Sequence, residues 1–463
     1  MASTLEHGVA VLDEALRPYQ REGVSFLFRN EAALLADEMG LGKTVQAITA
    51  LRLLLRKPKV DRALIVAPAS LGLNWQREFE RWAPELVVRR LTGSQADRLA
   101  YYELPIAVLI ATYEQISVDA LDRVPDEAFN VVVLDEAQRI KNYSSRTAFA
   151  CRLLPRDIAW ALTGTPIENS RSDIESIFEF LRPGLLRQTD GKAKLLAAIA
   201  PHFLRRRKAE VVKDLPPIIF QDIDLELTDA QRSAYDAAWD AGSTALRRAP
   251  HPIPTSDLLA LITRLKQICN FEPDAFESCK VDALQVLLET ASTAGAKVLL
   301  FSQYVETLNR LSRSIDSMPA SVYSGEQSAA ERDDVLTAFE RESGSRLLLM
   351  SLRAGGVGLN IPSADLVVLF DRWWNPAVEA QAVNRAHRLG RKTPLHVVRF
   401  LVRDSIEERI DAILTAKQQL FDDYVESVDG AEVPALTRND LIHALGISHY
   451  DTDAQDAVLQ NRS

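Results

Sequence analysis

The sequence predicts an α/β protein built as two parallel-sheet lobes in tandem with helical insertions between them. Three observations carry this prediction. Short, continuously apolar runs recur in two sets, with segments of helical spacing between most of them. A glycine-rich loop joins an early apolar run to a helix. Another run of the first set ends in two adjacent carboxylates. Strands that are apolar at every position are buried on both faces, as in a parallel sheet covered by helices.

The first set follows Ala32–Leu35 and comprises Ala63–Ala67, Ala107–Ala111, Val131–Leu134 and Ala159–Leu162. The second comprises Val298–Phe301, Leu347–Met350, Leu366–Phe370 and Leu395–Leu401. Thr44–Leu55 and Asn74–Trp82 have helical spacing. Residues 205–275 read differently. They are mostly polar and helical in pattern, with a basic run at Arg205–Lys208 and a proline-bearing loop at Arg247–Asp257, and are expected between the lobes. The division expected is therefore 1–204, a first lobe; 205–275, a helical region; 276–425, a second lobe; and 426–463, a tail with one short amphipathic helix near Leu436–Leu445.

The 463 residues are 47% hydrophobic and 25% charged, enough to bury a real core in each lobe. No apolar run reaches the length of a membrane span, and the start carries no secretory pattern, so the expected setting is the cytoplasm without membrane contact. Cys151, Cys269 and Cys279 are scattered and suit neither a disulfide framework nor a zinc site. A net charge of -10 argues against a wholly basic nucleic-acid binder but allows a local basic groove.

Three segments carry chemistry. In Ala36-Asp-Glu-Met-Gly-Leu-Gly-Lys-Thr44, Gly40 and Gly42 let successive backbone N–H groups face one anion at a helix N-terminus. Lys43 supplies charge to terminal phosphates and Thr44 a hydroxyl for magnesium. The general phosphate-loop pattern has glycine where this chain has Asp37. In Val131-Val-Val-Leu-Asp-Glu-Ala-Gln138, Asp135 suits the metal, and Glu136 suits orienting and deprotonating an attacking water. In Gln381-Ala-Val-Asn-Arg-Ala-His-Arg388, Arg385 and Arg388 fall on one face at helical spacing and suit a phosphate oxyanion. From the second lobe they would complete an ATP site when the lobes close, as arginine fingers do.

Further segments occur in the same order as in a known family. They are Leu16-Arg-Pro-Tyr-Gln20, Pro68-Ala-Ser-Leu-Gly-Leu-Asn-Trp75, Ala111-Thr-Tyr113, Leu162-Thr-Gly-Thr-Pro-Ile-Glu-Asn169 and Phe203-Leu-Arg-Arg-Arg-Lys208, followed by Leu265-Lys-Gln-Ile-Cys-Asn270, Lys297-Val-Leu-Leu-Phe-Ser-Gln-Tyr304, Ser351-Leu-Arg-Ala-Gly-Gly-Val-Gly-Leu-Asn360 and Asp371-Arg-Trp-Trp-Asn-Pro376. With the three segments above, they resemble the Swi/Snf family of helicase-like ATPases over about residues 14–425. The resemblance implies two RecA-like lobes, with ATP and magnesium as ligands. It implies that Gln20 reads the adenine. It also implies nucleotide contacts from Asp37, Met39, Gly40, Leu41, Gly42, Lys43 and Thr44, and from Gly356, Gly358 and Gln381 in the second lobe. Ser70, Thr112, Lys141, Thr163, Ser302, Gln303 and Arg353 are the implied contacts to DNA phosphates. Three positions depart from common family residues: Gln138 where histidine is common, Asn384 for aspartate and Arg391 for glutamine.

The function implied is ATP-driven movement along double-stranded DNA without strand separation, remodelling or displacing DNA-bound complexes. A strand-separating helicase, an RNA-polymerase-associated motor and an ATP-gated DNA clamp are the competing readings. No sequence-reading element is visible, so a partner protein is expected to supply targeting, for example within a bacterial genome-defence or transcription complex.

Overall fold

The computed structural model describes residues 16–122, 124, 129–164, 171–186, 191–212, 214–248, 252–275, 277–341, 344–352, 359, 361–388, 390–425 and 437–447. The main division of the chain falls between Leu215 and Pro216, giving two compact units. Each contains one parallel sheet.

The first sheet comprises β1 (Ala32–Leu35), β2 (Ala63–Ala67), β3 (Val88–Arg90), β4 (Val108–Thr112), β5 (Val131–Asp135), β6 (Ile158–Leu162) and β7 (Phe203–Leu204), in the order β3-β4-β2-β5-β6-β1-β7. Alternate residues supply two separate cores. Leu34, Leu64, Val66, Val132 and Leu134 face one, while Leu35, Ile65, Val133, Trp160 and Leu162 face the other. Burial on both faces is what demands an apolar residue at every position.

The second sheet comprises β8 (Ile218–Leu225), β9 (Val298–Ser302), β10 (Ala320–Tyr323), β11 (Leu347–Ser351), β12 (Leu366–Leu369) and β13 (Leu395–Val402), in the order β10-β11-β9-β12-β13-β8. The four strands absent from the sequence prediction, β3, β7, β8 and β10, are the four sheet edges. β8 lies inside the stretch read as helical. Its middle residues are exposed, and Ile219 and Phe220 stand 44% and 53% accessible. Cross-strand ion pairs from Arg399 to Asp222 and from Arg403 to Asp224 tie it to β13.

The rest of that stretch does form helices, Asp229–Arg248 and Thr255–Asn270, either side of the proline-bearing loop. They do not make a separate body. Tyr235, Leu258, Ile262 and Leu265 share one core with Ile406 and Ile410 of helix Ile406–Val425 and with Leu441 and Ile442 of helix Arg438–Ala444. The helical region and the tail helix thus belong to the second unit. The two helices pack closely at Gly242, where a Cβ would lie 2.3 Å from Leu261 Cδ1 and displace that side chain.

A buried polar network braces the second sheet. Lys280 and Glu407 are fully buried and paired at 2.7 Å. The Lys280 ammonium also donates to Asn270 Oδ1 at 3.0 Å and to the Phe370 carbonyl at 2.9 Å. Such a pair is costly to break from one side, since the remaining charge stays desolvated. Lys280→Met is expected to destabilise the second unit by about 3–5 kcal/mol. Lys280→Met combined with Glu407→Leu is expected to cost much less. Urea unfolding followed by tryptophan fluorescence checks both; equal losses would show that the pair is not what braces the sheet.

Candidate nucleotide site and nucleic-acid contacts

The first site is set by where parallel strands end. β5, β6 and β1 pair in register, with Asp135 opposite Leu162 and Leu162 opposite Leu35. The segments that follow all three strands therefore leave from the same edge, where α/β sheets bind ligands.

The phosphate loop follows β1. Gly40 and Gly42 both take left-handed backbone angles, φ 87° and 77°, which a residue with a Cβ adopts only at a cost. Helix Lys43–Leu54 starts directly after Gly42. Lys43 donates to the Asp37 carbonyl oxygen at 2.8 Å, so its ammonium arches back over the loop. The Leu41 carbonyl accepts from Tyr19 Oη, Gln20 Nε2 and Gln46 Nε2, each at 3.2 Å. Gln20 sits at the loop's rim, with Oε1 accepting from Arg17 N at 3.0 Å. Thr44 is half-buried, while Met39 and Leu41 are buried. Asp37 departs from its expected place: its carboxylate is fully buried and faces Arg206, with a closest approach of 2.6 Å. Only its carbonyl is turned to Lys43.

The acidic pair lies at the end of β5. Asp135 is 6% exposed. Burial, together with the neighbouring Glu136 charge, pushes its carboxyl up to about 7, against the lowering effect of Trp75 and Lys43. The Trp75 indole donates to Asp135 Oδ2 at 2.7 Å, and the Tyr113 hydroxyl donates to the Asp135 carbonyl at 2.8 Å. Among the described residues Glu136 is one of few non-glycine residues in a left-handed conformation, φ 52°. Backbone held in that region concentrates where side chains must be aimed. Gln138 Nε2 donates to Glu136 Oε2 at 2.8 Å, and Thr163 Oγ1 donates to Gln138 Oε1 at 3.0 Å. One hydrogen-bonded chain therefore runs from the acidic pair to the end of β6. Beyond it, Gly164 faces the phosphate loop so closely that a Cβ would meet Met39 Cγ at 2.5 Å and Lys43 Nζ at 3.0 Å.

These residues fit magnesium-bound ATP. The loop presents backbone donors and an ammonium. Asp135 is held at both oxygens, Oδ2 by the Trp75 indole and Oδ1 by Glu136 N at 3.0 Å, and each oxygen keeps a lone pair for a further ligand. Thr44 and Asp135 would hold the magnesium, which supplies neutralisation of phosphate charge. Trp75, Gln46, Gly164 and Arg206 were not among the expected site residues. All four stand within or beside the sequence motifs, but the Trp75–Asp135 and Arg206–Asp37 bonds join positions 60 and 169 residues apart.

In the second unit, helix Pro376–Val383 ends before the arginines, and residues 384–386 form turns. Arg385 and Arg388 therefore do not share a helix face. Arg385 is 2% exposed and lies near enough to Tyr323 to affect its phenol, while Arg388 donates to the Asn384 carbonyl at 3.2 Å. Gln381 is half-buried on the helix. His387 bonds the Pro216 carbonyl at 2.7 Å, and Arg391 bonds carbonyls that include Ala364 at 2.6 Å. Arg353, Gly356 and Gly358 lie outside the described residues.

The expected phosphate contacts fall into two groups. Lys141 is exposed and Ser70 half-buried beside the sheet edge. Thr112 caps helix Tyr113–Asp122, its hydroxyl accepting from Gln115 N at 3.2 Å. Thr163 and Ser302 are buried, and their hydroxyls serve Gln138 and Asp371. The Gln303 amide donates to the Arg372 carbonyl. The last three contribute to bracing here, which follows from standing at the ends of buried strands. Of the basic run Arg205–Lys208, Arg206 and Lys208 are buried. Trp374 packs on the helical core, with Lys266 Nζ 4.6 Å from its ring centre.

A phosphate loop and an acidic pair on the first of two tandem RecA-like parallel sheets define a helicase-like ATPase. The chain belongs to the SNF2-related family: the SNF2-related domain matches residues 19–273, and the helicase conserved C-terminal domain matches residues 279–390. It is 35% identical over 454 residues to an uncharacterized ATP-dependent helicase of Mycoplasma pneumoniae, covering 92% of this chain and 44% of that protein. It is 31% identical over 485 residues to the ISWI chromatin-remodeling complex ATPase ISW2 of Saccharomyces cerevisiae, covering 92% of this chain and 42% of that one. The chain thus spans less than half the length of either relative. A solved Sulfolobus solfataricus SWI2/SNF2 ATPase core in complex with dsDNA is 30% identical, covers 90% of this chain and 94% of that one, and has a TM-score of 0.42.

The Trp75–Asp135 bond generates a prediction. Hydrogen bonds to charged groups are worth about 1.5–3 kcal/mol, so Trp75→Phe is expected to lower ATP turnover at least roughly tenfold while circular dichroism stays unchanged. Wild-type turnover in this variant would show that Asp135 is oriented without the indole.

Proposed function

We propose that this chain is an ATP-driven motor that moves along double-stranded DNA without separating the strands and so remodels or displaces what is bound there. The observation that carries the reading is the chain Glu136–Gln138–Thr163. It joins the carboxylate suited to activating water with the segment whose family counterparts touch nucleic acid. A change at either end alters the hydrogen-bond partner of the other, which is what coupling between hydrolysis and track requires.

In this mechanism Lys43 and the backbone of the phosphate loop bind the terminal phosphates, and Gln20 stands at the adenine end. Asp135 and Thr44 would hold a magnesium ion, which would neutralise phosphate charge, and Glu136 takes the proton from the attacking water. Arg385 and Arg388 act on the same phosphates as arginine fingers from the second lobe, so ATP favours one state of the motor and its products another. Lys141, Ser70 and Thr112 are first to meet DNA phosphates, contacts that read no sequence. Thr163, Ser302 and Gln303 contribute after exchanging their internal partners. Membership of the SNF2-related family and the kinship with a chromatin-remodeling ATPase support a duplex track. Targeting falls to a partner protein. Among the described residues no helix is long and apolar enough to cross a membrane.

Steady-state ATPase assays without nucleic acid, and with single-stranded DNA, duplex DNA or RNA, test the proposal. Duplex DNA is expected to stimulate turnover at least about tenfold. Glu136→Gln and Lys43→Ala are expected to lose about 100-fold or more, and Arg385→Ala about 1,000-fold. Stimulation chiefly by single strands or RNA would replace the duplex reading with a helicase or transcription-linked one. No stimulation by any of them would replace it with a nucleotide-gated clamp.

A further inference from the structure

Arg206 is the middle of three consecutive arginines, yet it points inward. Its Nε and Nη2 donate to the two carboxylate oxygens of Asp37 at 3.0 and 2.6 Å. Nη2 also donates to Gln46 Oε1 at 2.9 Å, and Nη1 donates to the Tyr19 carbonyl. Gln46 is fully buried and gives its amide hydrogens to Asp37 Oδ2 at 3.1 Å and to the Leu41 carbonyl. Helix Pro18–Arg29 approaches this cluster at Gly23, where a Cβ would fall 1.7 Å from Gln46 Oε1 and 2.8 Å from Arg206 Nη2. A larger residue there would push the Gln46 amide out of the cluster.

The backbone continues the same connection. β7 pairs with β1, and the pairing runs on into the loop. Ala36 N donates to the Leu204 carbonyl at 2.8 Å, Glu38 N to the Arg206 carbonyl at 3.0 Å, and Lys208 N to Glu38 Oε2 at 2.7 Å. The first half of the phosphate loop is thus laced along Leu204–Lys208, the stretch that leads to the end of the first unit at Leu215.

We propose that Arg206 is a positioning residue for the nucleotide: it fixes the phosphate loop through Asp37 and Gln46, and it keeps the Asp37 carboxylate from competing with ATP for Lys43. The inference rests on reading the loop as the ATP site. A fully buried carboxylate must have a partner. Lys43 already touches the Asp37 carbonyl, so it is the cation at hand once Arg206 is removed. An ammonium held by Asp37 is unavailable to phosphate. The aspartate that replaces the usual loop glycine is tolerated because an arginine some 170 positions later neutralises it.

The test compares wild type, Arg206→Met, Arg206→Lys and the double variant Asp37→Asn/Arg206→Met. Affinity for a fluorescent ATP analogue, KM and kcat for ATP, and the thermal midpoint are measured for each. Arg206→Met is expected to weaken analogue binding and raise KM about 30-fold, with kcat at saturating ATP within about threefold of wild type. Arg206→Lys, which keeps the charge but not the two-pronged geometry, falls between. The double variant recovers to within about fivefold of wild type, because the competing charge has gone. Where Arg206→Met does not fold, Arg206→Lys against the double variant supplies the same contrast. Unchanged affinity in the Arg206 variants, or a loss that follows the thermal midpoint and is not recovered in the double variant, overturns the inference. Failure of the wild type to bind the analogue overturns the ATP reading of the loop and this inference with it.

Discussion

The chemistry of the first unit depends on the register of three parallel strands. Asp135, Leu162 and Leu35 stand level in neighbouring strands, so the acidic pair, the Thr163–Gly164 corner and the phosphate loop leave the sheet together. A slip of one residue in β5 would exchange its faces, turning Asp135 away from Trp75 and presenting a carboxylate to one of the apolar cores. The two cores penalise that slip at every position of the strand, so the hydrophobic effect, which has no directional preference of its own, aligns a directional site.

The second unit repeats the device with different groups. At the end of β9, Ser302 donates its hydroxyl to Asp371 Oδ2, and Gln303 N donates to Oδ1 at 3.0 Å. Asn270 joins from the helical region through Nδ2, 3.1 Å from the same carboxylate, and links it to Lys280 and Glu407. One polar thread therefore fastens the helical region, helix Cys279–Thr293, β9, the end of β12 and helix Ile406–Val425. Buried polar groups tolerate few alternatives to their native partners, so this thread holds the elements it joins in one arrangement.

How much of this was legible in the sequence follows from burial. Strands covered on both faces declare themselves as unbroken apolar runs, and the nine interior or near-continuous apolar strands were readable for that reason. β3, β7, β8 and β10 are edge strands that are half-solvated or short, and β8, with sequence IIFQDIDL, mixes both characters. The phosphate loop and acidic pair were legible because their chemistry is local: each needs particular residue types a few positions apart. The partners that hold them were not. Nothing near Asp37 announces Arg206, and nothing near Asp135 announces the Trp75 indole, because these bonds are made by folding across 169 and 60 positions. Arg385 and Arg388 show the opposite error. Their spacing suits a helix, but the helix stops at Val383, so period alone assigned them a common face.

Gln138 has a consequence of its own. An imidazole at that position would gain a proton on mild acidification and change from acceptor to donor at one ring nitrogen. A carboxamide has no proton to gain in that range and always offers both a donor and an acceptor. Because Gln138 gives its hydrogen to Glu136 and receives one from Thr163, the polarity of this relay is built into the covalent structure of the residue and does not depend on its state of ionisation. The link between Glu136 and Thr163 should therefore keep its sense on mild acidification, leaving any pH sensitivity of this corner to the carboxylates around it.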